Sequence, residues 1–353
     1  MSKNILHYGN LAGWPYYYAM SLRKMGINSI SVKPLEEESG GYPGGVSLKN
    51  RRLPSDITLS KEGDHRFLKR LRKYSFFIKT LFSLNLIHYH GGTLLRDAYD
   101  ALIFGKINIP MIISWGGGDA RIVEKARKNN PYFYREYNPE WDKKVINRLE
   151  NISKYVHYVA TDPEMFEYSY PYFEKVFILK QPVDLDEICL SLPEVKNKNP
   201  KILHIPTHPG VKGTKYIEKA VEKLKNEGLS FNYIMMEPNL TQKETRRLIS
   251  SCDIYADELR CGSYGVTAVE AMASGKPTIT YIRDDLLEKY PSDLPLVNAN
   301  PDNIYKKLKE LIKNAEMRHE IGVKSRKYVE KYHSLEVVGP RLLEIYREIG
   351  YKG

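Results

Sequence analysis

Glu270 is the clearest candidate for a chemical role, because it is the one charged residue among the small and apolar residues 268–273. The tight turn Ser263-Tyr264-Gly265 predicts that a helix begins at about Val266, and Gly275 is typical of a left-handed residue that ends a helix. Glu270 would then lie about one turn into the helix. The dipole there stabilises a carboxylate, which could accept hydrogen bonds from paired hydroxyls such as those of a ribose. A solvent-facing Glu that complements the dipole would fit the same position.

The segments on either side of this helix predict a strand–helix–strand unit. Residues 253–256 favour a short buried strand, and residues 278–281 favour the next one. In a βαβ unit the helix N-terminus faces the carboxyl edge of the sheet, where anionic ligands bind. The sequence therefore predicts an anion-binding site at the start of the helix, with Glu270 beside it.

Lys212 is a second candidate for anion binding. It follows a predicted strand at residues 201–205 and precedes a predicted helix at residues 215–227. A lysine at such a strand–loop–helix junction is placed to neutralise a diphosphate. An ordinary solvated loop lysine is the alternative.

Two histidines and an Asp-Arg pair lie where two strands of the N-terminal half should end. His88 and His90 are two residues apart on a predicted strand, so they share one face, and His90 could project into a cleft. Zinc is not expected, because no Cys, His or acidic pair offers an obvious third and fourth ligand. Asp119 and Arg121 follow the predicted strand 109–115. Asp119 could contact a substrate hydroxyl or cap the next helix, and Arg121 could pair with Asp119 or with a phosphate.

Residues 264–277, Tyr-Gly-Val-Thr-Ala-Val-Glu-Ala-Met-Ala-Ser-Gly-Lys-Pro, resemble the donor-binding signature of retaining GT-B glycosyltransferases of the family-four type, the glycosyl transferases group 1. In that pattern a Glu, seven residues and a second Glu precede Ala-Met-Ala, a small residue, Gly, any residue and Pro. The resemblance implies an α/β protein of GT-B architecture, with two Rossmann-like domains facing each other across a cleft. It implies that Glu270 holds the nucleotide ribose and that backbone amides at 265–268 receive the diphosphate. The first Glu would fall at Gly262, for which Glu258 could substitute.

The same resemblance extends to other donor-side positions. Lys212-Gly213-Thr214 resembles the family's Lys-Gly, whose lysine holds the donor phosphates, and His208 is the candidate replacement for an Arg that usually precedes it. Gly9 and Asn10 resemble the glycine loop after the first strand, although a plain tight turn also explains Gly9. Glu237 would line the base pocket by its position. The complete donor-side set is Gly9, Asn10, His208, Lys212, Gly213, Glu237, Glu258, Tyr264, Gly265, Val266, Thr267 and Glu270.

The acceptor side of the resemblance rests on the two strand ends in the N-terminal half. His-Tyr-His-Gly at 88–91 resembles the family's fourth-strand motif, and Gly-Gly-Asp-Ala-Arg at 117–121 resembles its fifth-strand ending. Relatives often carry a His before the Gly-x-Asp, where this chain has Gly116. The acceptor-side candidates are His90, Asp119 and Arg121, and the catalytic candidates are His90, Asp119 and Lys212.

Length and composition predict two soluble α/β domains. The chain has 353 residues, of which 42% are hydrophobic and 27% charged. The expected divisions are an acceptor-side domain at 1–190, a nucleotide-sugar-binding domain at 191–335, and a C-terminal helix at 336–353 packing back on the first domain. Three scattered cysteines, a polar N-terminus and the lack of a long apolar run favour a reducing cytoplasm.

The formal net charge of +11 is concentrated in the N-terminal half. Residues 66–78 mix basic with large apolar side chains, a composition that suits a helix lying on an anionic membrane surface, peripheral to the inner face. An ordinary amphipathic helix with its apolar face on the core is the alternative. Nucleic acid is not an expected partner, because no recognisable reading module is present. The Gly- and Pro-rich segment 35–61 predicts a long mobile loop of the kind that covers a substrate.

These features together predict an enzyme that transfers a sugar from a nucleotide-sugar donor to an acceptor hydroxyl. The expected acceptor is a sugar or a lipid-linked molecule in glycan or glycolipid assembly. The resemblance implies anomeric retention, no metal, and no cofactor beyond the nucleotide sugar as co-substrate. A GT-B sugar-nucleotide epimerase using His90 with Asp119, or a non-catalytic sugar-nucleotide-binding protein, are the alternatives.

Overall fold

A computed structural model of the protein describes residues 4–34, 53–61, 63–236 and 240–353. Most of the predicted glycine-rich loop and the base-pocket candidate Glu237 lie outside the described residues. The described chain forms two α/β domains with parallel sheets, which confirms the predicted fold class.

The first domain is a parallel sheet covered by helices. Within the described residues its strands are β1 (Asn4–Gly9), β2 (Ser29–Lys33), β3 (Ile57–Thr58), β4 (Leu84–His90), β5 (Met111–Ser114), β6 (Tyr158–Thr161) and β7 (Lys175–Ile178). They pair in the order β3-β2-β1-β4-β5-β6-β7. Its helices are α1 (Trp14–Lys24), α2 (Arg66–Thr80), α3 (Tyr99–Lys106), α4 (Val123–Asn129), α5 (Pro139–Ser153) and α6 (Pro163–Ser169), with a 3-10 turn at Arg96–Ala98.

The second domain repeats this plan with a smaller sheet. Its strands are β8 (Lys201–His204), β9 (Asn232–Met235), β10 (Ile254–Ala256), β11 (Thr278–Thr280) and β12 (Val297–Asn298), in the order β12-β11-β10-β8-β9. Its helices are α7 (Pro209–Lys212), α8 (Thr214–Asn226), α9 (Gln242–Ser250), α10 (Val266–Ala273), α11 (Asp284–Leu287), α12 (Ile304–Lys313) and α13 (Ala315–Tyr332). A last helix, α14 (Leu335–Glu348), ends the chain.

Each sheet reverses its strand order at one point, and these points position the candidate site. In the first sheet β2 and β4 lie on opposite sides of β1, and in the second sheet β9 and β10 lie on opposite sides of β8. Ligands of open parallel sheets bind outside the carboxyl ends of the strands at such a switch point. The segments after β1 and β4, and those after β8 and β10, are therefore the parts of the fold best placed to bind a substrate.

The central unit of the sequence folds as its local pattern requires. α10 begins at Val266, and Gly275 follows its end with φ of 76°, the left-handed conformation that glycine adopts without strain. β10 and β11, which flank the helix, pair in parallel with Tyr255 opposite Thr278. The predicted helix 215–227 begins at Thr214, and the turn α7 lies in the segment predicted as loop before it.

The two domains are joined by the segment 179–200 and by the end of the chain. Val183 in this segment bridges to Ser334, just before α14. The buried side chains of Val338, Leu342 and Tyr346 on α14 belong to the same apolar cluster as Tyr18 of α1. The last helix thus completes the core of the first domain. No helix in the described part of the chain is long and apolar enough to span a membrane.

Gly322 lies within α13, and a substitution there measures how tightly the second domain is packed. A Cβ added there would lie 2.3 Å from the carbonyl oxygen of Gly275 and 3.2 Å from Pro193 Cδ. We expect Gly322→Ala to lower the free energy of unfolding by about 1–3 kcal/mol through overpacking, although alanine is the better helix former. Gly92→Ala, where a Cβ would meet nothing within 4 Å, is the control and should change the unfolding midpoint little. Equal midpoints for the two variants in thermal unfolding would contradict the packing described.

Candidate active site

The N-terminus of α10 opens onto a cavity between the two domains. Gly265, at the N-cap, is extended with φ of −104° and ψ of −175°, and no side-chain hydrogen bond caps the helix within the described residues. The adjoining cavity has a volume of about 230 Å³. Its walls include Leu11, Ala12 and Asp162 from the first domain and Gly265, Val266 and Thr267 from the second. The first amides of a helix carry partial positive charge, so this end of the cavity suits an anion.

Glu270 is buried behind this helix start rather than exposed to water. The residue is 1% exposed, and its Oε1 accepts hydrogen bonds from Arg246 Nε at 2.9 Å and Gln242 Nε2 at 3.0 Å. Its Oε2 is buried and has no partner among the described residues. A buried carboxylate oxygen without a donor is poorly satisfied, so Oε2 is the atom through which Glu270 could accept a ligand hydroxyl.

A larger cavity, of about 670 Å³, is lined by residues that contact Glu270. Both residues that donate to Glu270, Arg246 and Gln242, line this cavity, together with Tyr17 of α1 and Glu187 of the linking segment. The Arg246 guanidinium also donates to the Tyr17 hydroxyl at 2.9 Å and pairs with Glu187. Arg246, the cationic partner of Glu270, therefore connects both domains with the segment between them.

Lys212 is 9% exposed and is paired with two carboxylates. Its Nζ lies 2.7 Å from Asp257 Oδ1 and 3.2 Å from Glu258 Oε2. Burial opposes the charge, but the carboxylates of Asp257 and Glu258 outweigh it and raise the pKa of Lys212. The lysine is charged, and its charge is already shared before any ligand arrives.

The small cavity also contains acidic side chains in unusual protonation states. Burial raises the pKa of Glu258 to about 7, despite the opposing effect of Lys212. Burial, with the nearby Glu164 charge, raises the pKa of Asp162 to about 6. Arg121 lines the same cavity and is held by a two-pronged pair with Glu164, Nε to Oε1 at 2.7 Å and Nη2 to Oε2 at 2.9 Å. Near neutral pH the cavity thus offers both a hydrogen-bond donor and a carboxylate acceptor from the same acidic groups.

His90 lies in the interior of the first domain with two other histidines. His7, His88 and His90 are all buried, the His88 and His90 rings stack with centroids 4.1 Å apart, and His7 Nδ1 lies 3.1 Å from His90 Nε2. His88 contacts the Tyr346 hydroxyl at 2.7 Å and Ser114 Oγ at 2.8 Å. Burial, and then Arg23, lowers the pKa of His7 to about 3, and burial also lowers the pKa of His90.

The structure therefore supplies a third histidine that sequence spacing does not reveal. Both nitrogens of His88 are engaged by Tyr346 and Ser114. One ring nitrogen of each of the three histidines lies within 4.8 Å of the others, a spacing that could hold a metal ion. Gly9 is required next to His90, because a Cβ at Gly9 would lie 2.1 Å from the His90 carbonyl oxygen. Asn10 follows, partly exposed, at the strand end.

Asp119 caps its own turn. Its carboxylate accepts from the Gly116 amide at 3.1 Å and the Gly117 amide at 2.7 Å, and burial raises its pKa. The predicted capping of the next helix by Asp119 is wrong, because the first amides of α4, at Val123 and Glu124, donate to Asp142 instead. The ion pair that the sequence allowed between Arg121 and Asp119 is replaced by the pair with Glu164.

Three further donor-side candidates form hydrogen bonds with other groups of the protein. Tyr264 lines the small cavity, but its hydroxyl contacts His333 Nε2 at 3.1 Å and the Tyr328 hydroxyl at 3.3 Å. His208 caps α7 by accepting from the Val211 amide, and its ring borders a different cavity, of about 590 Å³, beside Tyr134. The Gly213 amide donates to the Pro209 carbonyl at 3.0 Å.

The comparisons with known proteins match the architecture of the chain and the sequence of its second domain. A family model described as glycosyl transferases group 1 matches residues 210–328, which contain Lys212, Glu258 and α10. A protein of Methanocaldococcus jannaschii named uncharacterized glycosyltransferase MJ1178 is 25% identical over 309 residues, covering 80% of this chain and 83% of its own.

Solved structures resemble the whole chain. A glycosyltransferase from Rickettsia africae has a TM-score of 0.63 at 16% identity and covers 100% of both chains. Anabaena Alr3699/HepE, solved in complex with UDP and glucose, has a TM-score of 0.62 at 10% identity and covers 98% of this chain and 100% of its own. These similarities establish the GT-B fold.

Over residues 210–328 the chain is similar to the group 1 glycosyltransferases.

Gly262 stands where the resembled signature has its first Glu, and the surrounding structure leaves no room for a larger side chain. Gly262 has φ of 94°, and a Cβ there would lie 2.5 Å from Arg283 Cγ. Arg283 is buried and pairs with Glu167 of the first domain at 2.7 Å. The space that a Glu side chain would need is thus taken by a cation that joins the two domains. Glu258 lies in the small cavity and provides a carboxylate there.

The sequence analysis missed Asp162, Glu164, Arg246 and Gln242. Asp162 and Glu164 directly follow β6, so their place at a strand's carboxyl end was a signal that could have been used. Arg246 and Gln242 lie on α9 in an ordinary polar helix pattern. Nothing in that pattern indicates that they contact Glu270, 24 and 28 residues away.

Substitution of Arg246 should destabilise the protein, because Glu270 is buried and Arg246 is its cationic partner. We expect Arg246→Met to lower the free energy of unfolding by about 3 kcal/mol, because a buried carboxylate loses its cation. The Arg246→Met/Glu270→Gln double variant should recover part of the loss. Arg247→Met, at the exposed neighbouring position, is the control and should shift the unfolding midpoint little. If Arg246→Met and Arg247→Met have the same unfolding midpoint, the Arg246–Glu270 pair does not stabilise the fold.

The raised pKa of Asp162 predicts a pH-dependent effect on stability. Its folded-state pKa of about 6 exceeds the ordinary 3.8, so its stabilising contribution is complete below pH 3.8 and is lost as pH rises through 6. Asp162→Asn should therefore gain stability relative to the parent, by about 1 kcal/mol between pH 5 and pH 8.

Thermal unfolding at the two pH values measures this change. The matched control is Asp285→Asn, because Arg283 lowers the pKa of Asp285 and its charge is the same at pH 5 and pH 8 in both states. If the stability difference between the parent and the Asp162→Asn variant stays constant with pH, Asp162 ionises normally.

Proposed function

We propose that the protein transfers a glycosyl group from a nucleotide sugar to an acceptor hydroxyl, with retention of anomeric configuration and without a metal ion, in glycan or glycolipid assembly in the cytoplasm. The observation that carries this proposal is the uncapped start of α10, open to an interdomain cavity, with the buried Glu270 carboxylate behind it. An anion and a pair of hydroxyls can bind there within one turn of helix.

The two cavities suggest how the donor lies. The nucleoside occupies the cavity of about 670 Å³, and its ribose hydroxyls donate to Glu270 Oε2. The diphosphate meets the amides of Gly265, Val266 and Thr267, and the sugar occupies the cavity of about 230 Å³. This order is supported by Arg246 and Gln242, which line the larger cavity and donate to Glu270, and by the start of the Glu270 helix, which lines the smaller one.

The charges near the diphosphate support departure of a nucleoside diphosphate. Helix amides and Lys212 would stabilise the negative charge that develops on the leaving group, which is the role of preorganised donors in group transfer. Lys212 is paired with Asp257 and Glu258, so its positive charge is most available when Glu258 is protonated. Burial raises the pKa of Glu258, which favours this protonated form.

The sugar cavity has the polar groups that a sugar requires. Asp162, Glu258 and the Arg121–Glu164 pair offer both donors and acceptors to hydroxyl groups. On the first-domain side Leu11 and Ala12 form an apolar wall against which a sugar ring could pack. Retention is supported by the resemblance of residues 264–277 to the signature of retaining enzymes.

Nucleotide binding is the first test. Anabaena Alr3699/HepE is described in complex with UDP, so UDP and UDP-glucose lead a panel with GDP, ADP and their sugars. We expect one nucleotide to raise the melting temperature, and Glu270→Gln, which keeps the hydrogen bond to Arg246, to reduce that rise. Glu330→Gln removes an exposed carboxylate paired with Arg326 and should leave the rise unchanged.

The outcomes separate three readings of the site. Acceptor-dependent release of the nucleoside diphosphate supports transfer. Interconversion of the sugar without an acceptor would identify a sugar-nucleotide epimerase, and binding without turnover would identify a binding protein. No thermal shift with any nucleotide would contradict the donor site.

A further inference from the structure

Helix α2 presents an apolar stripe to the outside of the first domain. Its large side chains recur at intervals of four, three and four residues, which places them on one side of the helix, and Phe82 continues the line one turn later. The exposed fractions of these side chains range from 53% to 80%. The stripe consists of Phe67, Leu71, Tyr74, Ile78 and Phe82.

The helix does not need this stripe to attach to its own domain. Phe77 and Thr80 are its buried residues, and the Phe77 ring contacts Phe104 at a centroid distance of 5.5 Å. Phe76 packs against the same core. A helix in a soluble domain normally directs its large apolar residues inward, whereas α2 has apolar residues on two sides. The outer side is therefore available to bind something other than the protein's own core.

The charge around the stripe identifies the kind of surface it fits. Residues 66–80 contain six Lys and Arg and no Asp or Glu. Arg66 and Arg70 lie on one flank of the stripe and Lys79 on the other, and all three are exposed. Apolar side chains bordered by cations match the boundary between acyl chains and anionic headgroups of a lipid bilayer.

A second copy of the chain fits this face less well. In a two-fold dimer the same surface meets itself, so the basic flanks of α2 would oppose each other. An anionic bilayer neutralises those charges while it accepts the apolar residues.

We propose that α2 binds the surface of an anionic phospholipid bilayer, with the stripe inserted at the headgroup boundary and the basic residues on the phosphates. The helix follows β3, so its first turn lies toward the carboxyl edge of the first sheet, which is the edge of the candidate active site. Binding in this way brings the interdomain cleft near the membrane surface. The inference goes beyond glycosyl transfer and does not depend on it.

Sedimentation with vesicles tests the inference in the absence of nucleotide. The full chain is mixed with vesicles of phosphatidylcholine alone or with phosphatidylglycerol added. We expect binding to the phosphatidylglycerol vesicles that weakens with salt, and about tenfold weaker binding for Phe67→Ser/Leu71→Ser/Ile78→Ser. Arg66→Gln/Arg70→Gln should weaken it by about tenfold or more at low salt.

The matched control variants remove side chains of the same kinds from surfaces outside α2. Tyr170→Ser removes an aromatic ring that is 62% exposed, and Lys219→Gln/Lys225→Gln removes two exposed cations from α8. Both should bind vesicles like the parent. Every variant is also tested for thermal unfolding and nucleotide-induced shift, so loss of the fold or of the donor site is seen separately.

Three results would overturn the inference. They are absence of vesicle binding by the parent, equal binding to neutral and anionic vesicles, and equal losses in the control variants. A vesicle-independent dimer that the serine variant abolishes would instead assign the stripe to contact between two copies.

Discussion

The burial of the Glu270 carboxylate is the constraint on which the site depends. A carboxylate removed from water needs a cation and hydrogen-bond donors, and here they come from Arg246 and Gln242 on another helix. Arg246 is in turn fixed by Tyr17 of the first domain and by Glu187 of the linking segment. The Glu270 carboxylate is thereby coupled to the relative position of the domains. A ligand that engages Glu270 Oε2 would bind to a carboxylate whose orientation is already set.

The acidic groups around the small cavity follow a second physical rule. Placing Asp162, Glu164, Asp257 and Glu258 near one another in a buried space is costly unless cations or protons neutralise them. Arg121 neutralises Glu164, and Lys212 is shared between Asp257 and Glu258. Asp162 and Glu258 retain protons at higher pH than usual. These cations and protons thus prevent a large excess of negative charge in the cavity.

The departure from the family signature at Gly262 also depends on contact between the domains. Arg283 fills the space beside Gly262 and reaches Glu167 on α6. Nearby, Asn130 of the first domain donates to the carbonyls of Arg260 and Cys261, at 2.9 Å each. The segment between β10 and α10 is therefore anchored to the first domain at Gly262 and its neighbours. Glu258, on the same segment, lines the small cavity.

The sequence by itself determined those features that depend on neighbours in the chain. The start of α10 at Val266, the left-handed Gly275, and the capping box of Thr241 with Glu244 are local, because each involves residues within a turn or two of helix. The alternation of strands and helices determined the two-domain α/β class in the same way.

Tertiary structure alone decided the partners of the charged groups. Arg246 contacts Glu270, and His7 contacts His90, although each pair is distant in sequence. The fold also places Asp162 in the small cavity and leaves one apolar side of α2 exposed. A side chain's burial and its pKa are set by what the fold places around it, so residue type and spacing could nominate Glu270 but could not show what holds it.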